Sequence, residues 1–399
     1  MKVKLAILAS RFPYPLDQGD RLRLYHQIRY LSEKFDIYLI CTTHEKVCAD
    51  NECELQRFCK KIYIIPIGFF RSITSVLFFY FSGKPLQLAM FFSSKAKKQV
   101  DEILRKLKPD LVYCHLFRMA EYCTTLDCPR VIDLMDAFSA SMWRRSKISR
   151  FPFNLIYLLE SVRIKKYEEK ILKNFDAATI ISEQDKALLL GNHQHKLHVV
   201  SNGVDIDYFN RAKILGAREA VHDLIFVGNM GYLPNIEAAE YLVNKLLPRI
   251  NKRLKSDEAL SVYLVGSRPD LRVRRLSSSR VLVSGWVDDI REAYVSGKVF
   301  CAPIFSGTGQ QNKILEAMAM GVPCVTTSEV NNAIGAKDGE EILIAHDDES
   351  FEVRVRLLLN DSELFEKLSK NARKFVEEHY SWFDKTQVLE QILLRQLSE

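Results

Sequence analysis

Short apolar runs recur along the chain and alternate with longer stretches in which apolar positions follow a helical spacing. Most runs are continuous rather than interrupted by polar residues, which is typical of strands covered on both faces. Strands that alternate with helices predict parallel sheets built from βαβ units. The predicted strands are Val3–Leu8, Asp36–Cys41, Ile62–Pro66, Leu111–His115, Arg130–Leu134, Ala177–Ser182, Leu197–Ser201, Asp223–Gly228, Leu260–Gly266, Arg280–Ser284, Val299–Pro303, Pro323–Thr327 and Glu341–Ile344.

The number of predicted strands favours two domains over one. They are too many for one ordinary parallel sheet, whereas about six or seven in each of two sheets is usual for doubly wound domains. Residues 203–219 are rich in turn residues and show neither a helical nor a strand period. We therefore predict an α/β protein with two doubly wound, Rossmann-like domains, residues 1–205 and 206–382, with a cleft between them. The last helix, within 383–399, is expected to return to the first domain.

The composition argues against several classes of protein. Apolar residues make up 47% and charged residues 27% of the 399 residues, as in ordinary globular proteins. No apolar stretch reaches the ~18 residues of a membrane span, and the apolar start of the chain runs directly into Ser10 and Arg11, unlike a secretion signal. The nine cysteines form no Cys-x-x-Cys pair. We therefore expect a cytoplasmic protein with reduced thiols.

Charge is distributed unevenly along the chain. Residues 1–200 carry 32 Lys and Arg against 21 Asp and Glu, whereas residues 201–399 carry 25 against 29. This predicts that only the first half faces an anionic partner. Part of the basic excess is a group formed by Arg144, Arg145, Lys147, Arg163, Lys165 and Lys166. No nucleic-acid module or aromatic platform accompanies it, so we do not expect nucleic acid as a partner and interpret the group as solvated helix faces or a membrane-facing patch.

The apolar segment Phe69–Phe92 has two interpretations. Its Phe, Leu, Met and Tyr residues, with Arg71 and Lys84 near its ends, suit an interfacial layer on an anionic membrane. The same composition suits core helices of the first domain. Periodicity does not separate the two, and both remain open.

The most informative part of the sequence is the segment 299–323. It combines a predicted strand, a loop containing Gly307 and Gly309, and a helix that Gly321 ends. The free N–H groups and the positive dipole end of a helix start attract anions, and Lys313 lies in the first turn. The segment therefore predicts a site for a diphosphate.

Glu316 extends this prediction to the rest of a nucleotide. It lies roughly 10 Å along the helix axis from Gly309, at 1.5 Å per residue. A carboxylate at that distance is kept away from the phosphates and can accept hydrogen bonds from ribose hydroxyls. The alternative is a solvated pair of Lys313 and Glu316 on the helix surface.

The sequence around Glu316, Leu-Glu-Ala-Met-Ala-x-Gly, resembles the donor helix of glycosyltransferase family 4, a large family of retaining GT-B enzymes. Residues 201–209 resemble the interdomain linker of that family, and residues 223–229 the start of its second domain. With the loop 12–23, the likeness spans nearly the whole chain. It implies a GT-B fold, a UDP-, GDP- or dTDP-sugar as co-substrate, no metal or other cofactor, and a ribose held by Glu316.

One branch of the family, found among sugar transferases of bacterial surface-polysaccharide clusters, is similar to this chain in more detail. The shared pattern is Gly-x-Gln-Asn-Lys, and it makes Gln311, Asn312 and Lys313 candidate phosphate and sugar contacts beside Gly309. The chain also departs from the common family pattern. Thr308 stands where the first of two glutamates is usual, so the role of that glutamate does not carry over.

Further donor contacts are predicted in loops of the second domain. Arg268 follows a predicted strand and is a candidate for the diphosphate, with a plain surface arginine as the alternative. Val287, beside Trp286, occupies a loop where related enzymes clamp the nucleobase, and the alternative is a tryptophan packed in a turn. Asn229 lies in the first loop of the domain, where many relatives have basic phosphate ligands and this chain has none.

The first domain contributes candidates at two strand ends. Gly19, Asp20 and Arg21 follow the first strand and form a predicted acceptor or phosphate loop, or a tight turn that simply needs glycine. His115 ends a later strand, where the resemblance implies a residue that contacts the transferred sugar or the reacting phosphate. A structural histidine is the alternative. Arg118 follows as a phosphate partner or a solvated side chain.

Together these features predict a glycosyltransferase that moves a sugar from a nucleoside diphosphate sugar to a saccharide or lipid-linked acceptor. The resemblance implies retention of the anomeric configuration and a role in cell-surface polysaccharide or glycolipid synthesis, with His115 and Lys313 as catalytic residues. Peripheral contact with the inner face of an anionic membrane is part of this expectation. Two alternatives remain: an epimerase acting on a UDP-sugar with the same scaffold, and an inactive GT-B scaffold that binds a partner.

Overall fold

A computed structural model of the chain describes residues 2–68, 83–124, 126–189, 191, 193–214, 220–252, 259–305 and 309–398. The chain divides into two compact units. Unit 1 consists of Met1–Ser201 and Trp382–Glu399, and unit 2 of Asn202–Ser381.

Unit 1 is built on a parallel sheet of seven strands, as described, with the order β3-β2-β1-β4-β5-β6-β7. The strands are β1 Val3–Ala9, β2 Phe35–Thr43, β3 Lys61–Pro66, β4 Leu111–His115, β5 Arg130–Met135, β6 Ala177–Ile180 and β7 Leu197–Val199. The order reverses direction between β1 and β4, which are paired directly. In open parallel sheets of this kind, ligands bind outside the carboxyl ends of the strands where the order reverses. Those carboxyl ends carry the predicted loop at Gly19 and the predicted His115.

Helices cover both faces of this sheet. They are α1 Gly19–Leu31, α2 Ala49–Gln56, α3 Leu86–Phe91, α4 Ser94–Leu107, α5 Phe138–Ile148, α6 Phe153–Asn174 and α7 Glu183–Leu188, with short 3-10 turns at Phe117–Cys123 and Gln194–Lys196. Ser93 and Ser182 accept hydrogen bonds from backbone N–H groups at the starts of α4 and α7, which is how such residues fix a helix start. Helix α3 falls within the apolar segment discussed above, whose residues 69–82 lie outside the described part of the chain.

Unit 2 has a parallel sheet of six described strands with the order β10-β9-β8-β11-β12-β13. The strands are β8 His222–Val227, β9 Val262–Val265, β10 Val281–Val283, β11 Gly297–Ala302, β12 Cys324–Thr327 and β13 Leu343–Ala345. Strands β8, β9, β11 and β12 are almost completely buried, as their continuous apolar runs predict. Here the order reverses between β8 and β11, so the loops that follow these two strands are the expected binding edge.

The helices of unit 2 are α8 Leu233–Tyr241, α9 Leu247–Asn251, α10 Leu271–Arg274, α11 Ile290–Val295, α12 Asn312–Ala319, α13 Ser328–Asn331, α14 Asp348–Asn360 and α15 Ser362–His379, with a π-helical turn at Leu242–Leu246 and a 3-10 turn at Arg211–Lys213. After Ser381 the chain returns to unit 1 as α16, Trp382–Arg395. None of the helices in the described ranges is long and apolar enough to cross a membrane.

Every predicted strand has an observed counterpart, and no strand end differs from its prediction by more than two residues. The prediction of an α/β protein with two parallel, doubly wound sheets is thus confirmed. Strands β9 and β13 are shorter than predicted, because the buried apolar residues Leu260 and Ile342 lie just outside the paired backbone.

Candidate functional site

The binding edge of unit 2 is held together by an unusually close approach of two backbones. Gly266 follows β9 with φ +151°, and a Cβ built there would lie 1.6 Å from the carbonyl oxygen of Gly228, which follows β8. The Gly228 N–H in turn donates to the Val265 carbonyl over 2.9 Å. A side chain at 266 is therefore excluded, and the loops after β8 and β9 are fixed against each other.

Helix α12 begins at this edge without a side-chain cap. Gln311 is the N-cap residue, and its side chain makes no capping hydrogen bond. Gly309, two residues earlier, has φ +95°, a conformation that L side chains rarely adopt. Gly321 ends the helix as predicted, with φ +69°. The predicted Gly307, with Thr308, lies outside the described residues.

Lys313 is directed into the protein rather than into solvent. Its ammonium donates a hydrogen bond to the Asn235 side-chain oxygen over 2.5 Å and lies 5.3 Å from the centre of the Phe226 ring. Asn235 is itself buried and donates to the Asn229 carbonyl over 2.9 Å. Burial lowers the pKa of Lys313 to about 8, although nearby Glu316 opposes the change.

Glu316 is likewise held by a specific partner. The Tyr294 hydroxyl, on α11, donates to a Glu316 carboxylate oxygen over 2.7 Å. Burial raises the pKa of Glu316, while the hydrogen bond from Tyr294 and the charge of Lys313 counteract the rise. The structure thus contradicts the alternative of a solvated Lys313–Glu316 surface pair, because both side chains are part-buried and each is bonded elsewhere.

The residues before α12 are tied to the start of unit 2. The Gln310 side chain accepts from the Asn202 N–H over 2.9 Å and donates to the Asn202 carbonyl over 2.8 Å. Asn202 also donates to the Asn312 side-chain oxygen over 3.3 Å. The neighbouring Gln311 amide lies 3.5 Å from the Gly309 carbonyl, at the limit of hydrogen bonding. Of the predicted contacts, Asn312 is therefore engaged within the protein and Gln311 is only weakly held.

Arg268 and Asn229 are the exposed residues among the predicted donor contacts that the structure describes. Arg268 has φ +53°, in the left-handed region that is uncommon for residues other than glycine. Strained backbone of this kind concentrates at ligand-binding sites. Its carbonyl lies 3.1 Å from the position of a Cβ at Gly231, so the Arg268 loop packs on the loop that holds Asn229. The Asn229 side chain accepts from the Gly231 N–H and shapes that loop from within.

The loop after β10 divides into a packed and an exposed residue. Val287 is part-buried against the core of unit 2. Trp286 is 69% exposed, so the alternative of a packed tryptophan is wrong. The exposed Trp286 indole beside the part-buried Val287 keeps this loop a candidate for contact with a nucleobase.

In unit 1, His115 is buried at the carboxyl end of β4. Its Nε2 has no hydrogen-bond partner in the described part of the chain, and burial lowers the pKa of the imidazole to about 4 despite the opposing charges of Asp133 and Asp20. The next residue, Leu116, has φ +71°, which again marks strained backbone at this edge. At neutral pH the ring is uncharged. The neutral imidazole of His115 can form a hydrogen bond with a hydroxyl, but it carries no charge that could neutralise a phosphate.

The predicted loop at Gly19 begins α1 directly. Gly19 is exposed, lies outside the positive-φ region, and a Cβ there would meet nothing within 4 Å. The structure therefore gives no support to a turn that needs glycine. Asp20 pairs with Arg11 at 3.2 Å, and Arg21 is buried between Asp17 at 3.2 Å and Glu45 at 2.5 Å. Arg21 is thus already neutralised within the protein.

Arg118 differs from Arg21 in being only partly engaged. Its guanidinium lies over the Phe91 ring at 4.6 Å, and its Nε and Nη1 are buried without a hydrogen-bond partner in the described residues. Burial and the charge of Arg11 lower its pKa to about 10, so it stays protonated at neutral pH. Of the cations predicted in unit 1, Arg118 retains the greater capacity for an anion.

Two residues at these edges escaped the sequence analysis. Tyr294 holds Glu316, but nothing in its helix pattern distinguishes it from a core tyrosine. Asp136 directly follows β5, and its side chain is exposed at this edge. Asp136 lies just past the end of a predicted strand, and the reasoning applied to His115 could have identified it as a candidate site residue.

Comparison with known proteins agrees with this architecture. Residues 22–208 match the family model "Glycosyltransferase Family 4", and residues 221–361 match the model "Glycosyl transferases group 1". An uncharacterized 44.6 kDa protein in the cps region of Klebsiella pneumoniae is 22% identical, over 94% of this chain and 96% of its own length.

Two solved structures share the fold over nearly their full length. Sucrose-phosphate synthase from Thermosynechococcus elongatus superimposes with a TM-score of 0.69 at 15% identity, covering 99% of both chains. HepE from Anabaena, solved in complex with UDP-glucose, gives 0.68 at 13% identity, covering 98% of this chain and 99% of HepE. At these identities the likeness concerns the fold. With the two family matches, it shows that the chain is a GT-B glycosyltransferase built from a family 4 domain and a group 1 domain.

Proposed function

We propose that the protein transfers a sugar from a nucleoside diphosphate sugar to a saccharide or lipid-linked acceptor, with retention of configuration and without an essential metal. Cell-surface polysaccharide synthesis is the setting we propose, on the cytoplasmic side of an anionic membrane. The known gene region of the Klebsiella relative, cps, and the UDP-glucose bound by HepE support the class of reaction and of donor.

The observation that carries the proposal is the arrangement at α12. The helix start has no side-chain cap. Asn235 holds the part-buried Lys313 in the first turn, and Tyr294 holds the part-buried Glu316 about one turn further along the helix. The backbone N–H groups of a helix start and an ammonium suit a diphosphate. A carboxylate displaced along the axis suits ribose hydroxyls. The spacing fits one nucleotide laid along the helix.

The chemistry follows from where charge develops. When the glycosidic bond to the donor breaks, negative charge appears on the departing diphosphate, and donors already aimed at that position stabilise it without reorganisation. We assign this role to the α12 N–H groups and Lys313, with Arg268 as an additional cation. The neutral His115 orients a hydroxyl of the transferred sugar or of the acceptor, and Arg118 binds an anionic group on the acceptor side.

The test is a thermal-shift panel of UDP-, GDP- and dTDP-sugars on the wild type and on Glu316→Gln. A donor that binds only the folded protein raises its melting temperature. We expect one base to give a clear shift in the wild type. Loss of the charged acceptor in Glu316→Gln should weaken binding about 10–100-fold, because hydrogen bonds to charged groups contribute about 1.5–3 kcal/mol.

The matched control is Glu366→Gln, an exposed glutamate on α15 of the same unit. It should leave the shift unchanged. Equal donor affinity in the wild type and in Glu316→Gln would refute the donor-site assignment. Donor binding without release of a nucleoside diphosphate from any acceptor mixture would favour the inactive scaffold, and an altered sugar recovered from a UDP-sugar without an acceptor would favour the epimerase.

A further inference from the structure

Helices α5 and α6 form a hairpin whose tip exposes an unusual amount of apolar surface. Phe151 in the connecting turn is 77% exposed, Ile148 is 61% and Phe153 is 59% exposed. Patches of this size rarely face water in a monomeric protein unless they contact something. The exposed large apolar residues of this tip are Trp143, Ile148, Phe151, Phe153, Leu155, Ile156, Leu158, Leu159 and Val162.

The two halves of α6 differ sharply. From Ile164 onward the helix is ordinarily amphipathic, with Ile164, Tyr167, Ile171 and Leu172 buried and Lys165, Lys166, Glu169 and Lys170 exposed. Between Phe153 and Leu159, apolar side chains are exposed on nearly every side. A helix that is apolar all round requires an apolar environment. The first half of α6 is therefore apolar but faces solvent, whereas the second half packs its apolar residues against the protein.

The charge around this tip is almost entirely positive. Residues 138–166 contain seven Lys and Arg, and Glu160 is the one acid among them. Glu160 is buried, accepts from the Leu86 N–H over 2.8 Å and pairs with Arg163 at 3.5 Å. It therefore contributes no negative charge to the exposed surface. The basic residues of the range are Arg144, Arg145, Lys147, Arg150, Arg163, Lys165 and Lys166.

The aromatic residues and the cations are interleaved. The Lys147 ammonium lies 5.1 Å from the Trp143 ring centre, and the Arg145 guanidinium lies 5.8 Å from that of Tyr157. Long basic side chains that extend alongside apolar groups are characteristic of the boundary between lipid headgroups and acyl chains. A neutral protein groove would match the apolar residues but would offer no complementary charge to the exposed Lys and Arg side chains.

We propose that the tip of the α5–α6 hairpin, residues 143–162, inserts into the surface of an anionic lipid bilayer. The apolar side chains enter the acyl boundary, and the surrounding Lys and Arg residues bind lipid phosphates. Two signals of this kind, apolar burial and electrostatic attraction, together give stable but reversible binding. The charged second half of α6 keeps the hairpin at the surface. This rests on the membrane contact in the proposed function and names the surface that makes it.

Flotation of the full-length protein with vesicles tests the proposal. Vesicles of phosphatidylcholine with about one-third phosphatidylglycerol should carry the wild type up the gradient, and pure phosphatidylcholine should bind much less, because each basic residue near an anionic surface adds attraction. Phe151→Ser with Phe153→Ser should reduce vesicle affinity by on the order of tenfold or more. Arg145→Glu with Lys147→Glu should reduce it on anionic vesicles only.

The matched control is Val221→Ser with Leu271→Ser, two apolar residues of unit 2 that are 69% and 65% exposed. It removes comparable exposed area and should leave vesicle binding intact. All variants change exposed side chains, so equal melting temperatures confirm folding. Binding lost equally in the control and the tip variant would overturn the proposal.

A second copy of the chain is the rival occupant of the tip. Sedimentation velocity without vesicles separates the two. A dimer that Phe151→Ser with Phe153→Ser dissociates, combined with no flotation of the wild type, would assign the surface to self-association and overturn the proposal. The nucleotide-sugar thermal shift is measured without lipid, so failure of the membrane proposal and failure of the donor site give different results.

Discussion

At the scale of single residues, the protein places titratable groups where their charge depends on burial. Lys313 loses hydration at the start of α12, and its pKa falls to about 8, while His115 at the end of β4 falls to about 4. The two groups therefore differ in charge at neutral pH: Lys313 is mostly protonated and His115 is neutral. The protonated Lys313 therefore suits an anion, and the neutral His115 suits a hydroxyl.

The Lys313 pKa predicts a pH dependence of donor binding. As pH rises from 7 to 9, the free protein loses the Lys313 proton, so donor affinity should fall, beginning near the pKa of about 8 and more steeply above it. Calorimetric titration with the donor identified in the thermal-shift panel measures this. Lys313→Arg should abolish the fall above pH 8, because an arginine stays protonated there. A fall of the same size in Lys313→Arg would mean that another group titrates.

At the scale of secondary-structure elements, glycines decide how closely strands and loops approach at the binding edge of unit 2. The Gly266 position has no room for a methyl group beside the Gly228 carbonyl. The contact fixes the loops after β8 and β9, and the loop after β8 leads directly into α8, whose Asn235 is the partner of Lys313. The position of the ammonium thus depends on a backbone contact that involves no charged group.

Gly266→Ala should therefore destabilise unit 2 strongly. The added Cβ would lie 1.6 Å from a carbonyl oxygen in a backbone conformation that alanine avoids, and we expect a loss of at least about 3 kcal/mol. Urea unfolding followed by circular dichroism measures it. Gly285→Ala is the control, since nothing lies within 4 Å of a Cβ at Gly285 and its φ is not in the positive range. Equal urea midpoints for Gly266→Ala and Gly285→Ala would show that the loops after β8 and β9 move apart to accommodate the added methyl group.

At the scale of the whole molecule, the chain begins and ends in the same unit. Helix α16 packs on α1, where the Trp382 ring stacks on His26 with centres 4.9 Å apart, and Phe383 meets Tyr30 edge-on at 5.8 Å. Leu389 and Leu393 are fully buried in the core of unit 1. Unit 1 is therefore complete only after unit 2 has been synthesised.

Trp382→Ala should destabilise unit 1 while leaving unit 2 intact. Removing a buried tryptophan costs about 3–5 kcal/mol through lost burial and the cavity left behind. Hydrogen exchange read by mass spectrometry should show faster exchange in α1, β1 and α16. Strands β8 and β11 of unit 2 serve as the internal control and should keep their protection. Faster exchange confined to α16 would mean that unit 1 does not rely on it.

The sequence alone determined the elements. Continuous apolar runs located the strands of both sheets, because strands buried on both faces leave no room for polar residues. Gly321 marked the end of α12, and Gly309 marked the loop before it; both adopt a positive φ. The likeness around Glu316 pointed to the family. These features are local, so a linear pattern contains them.

Only the tertiary structure decided which side chains the site residues contact. Asn235 is 78 residues from Lys313, and Tyr294 is 22 residues from Glu316, so no spacing rule connects them. The apolar run at 151–159 is equally suited to a core helix or an exposed surface, and only packing shows that its side chains meet solvent. Pairing, burial and the pKa shifts that follow depend on which distant segments fold together, and that information is not local in the chain.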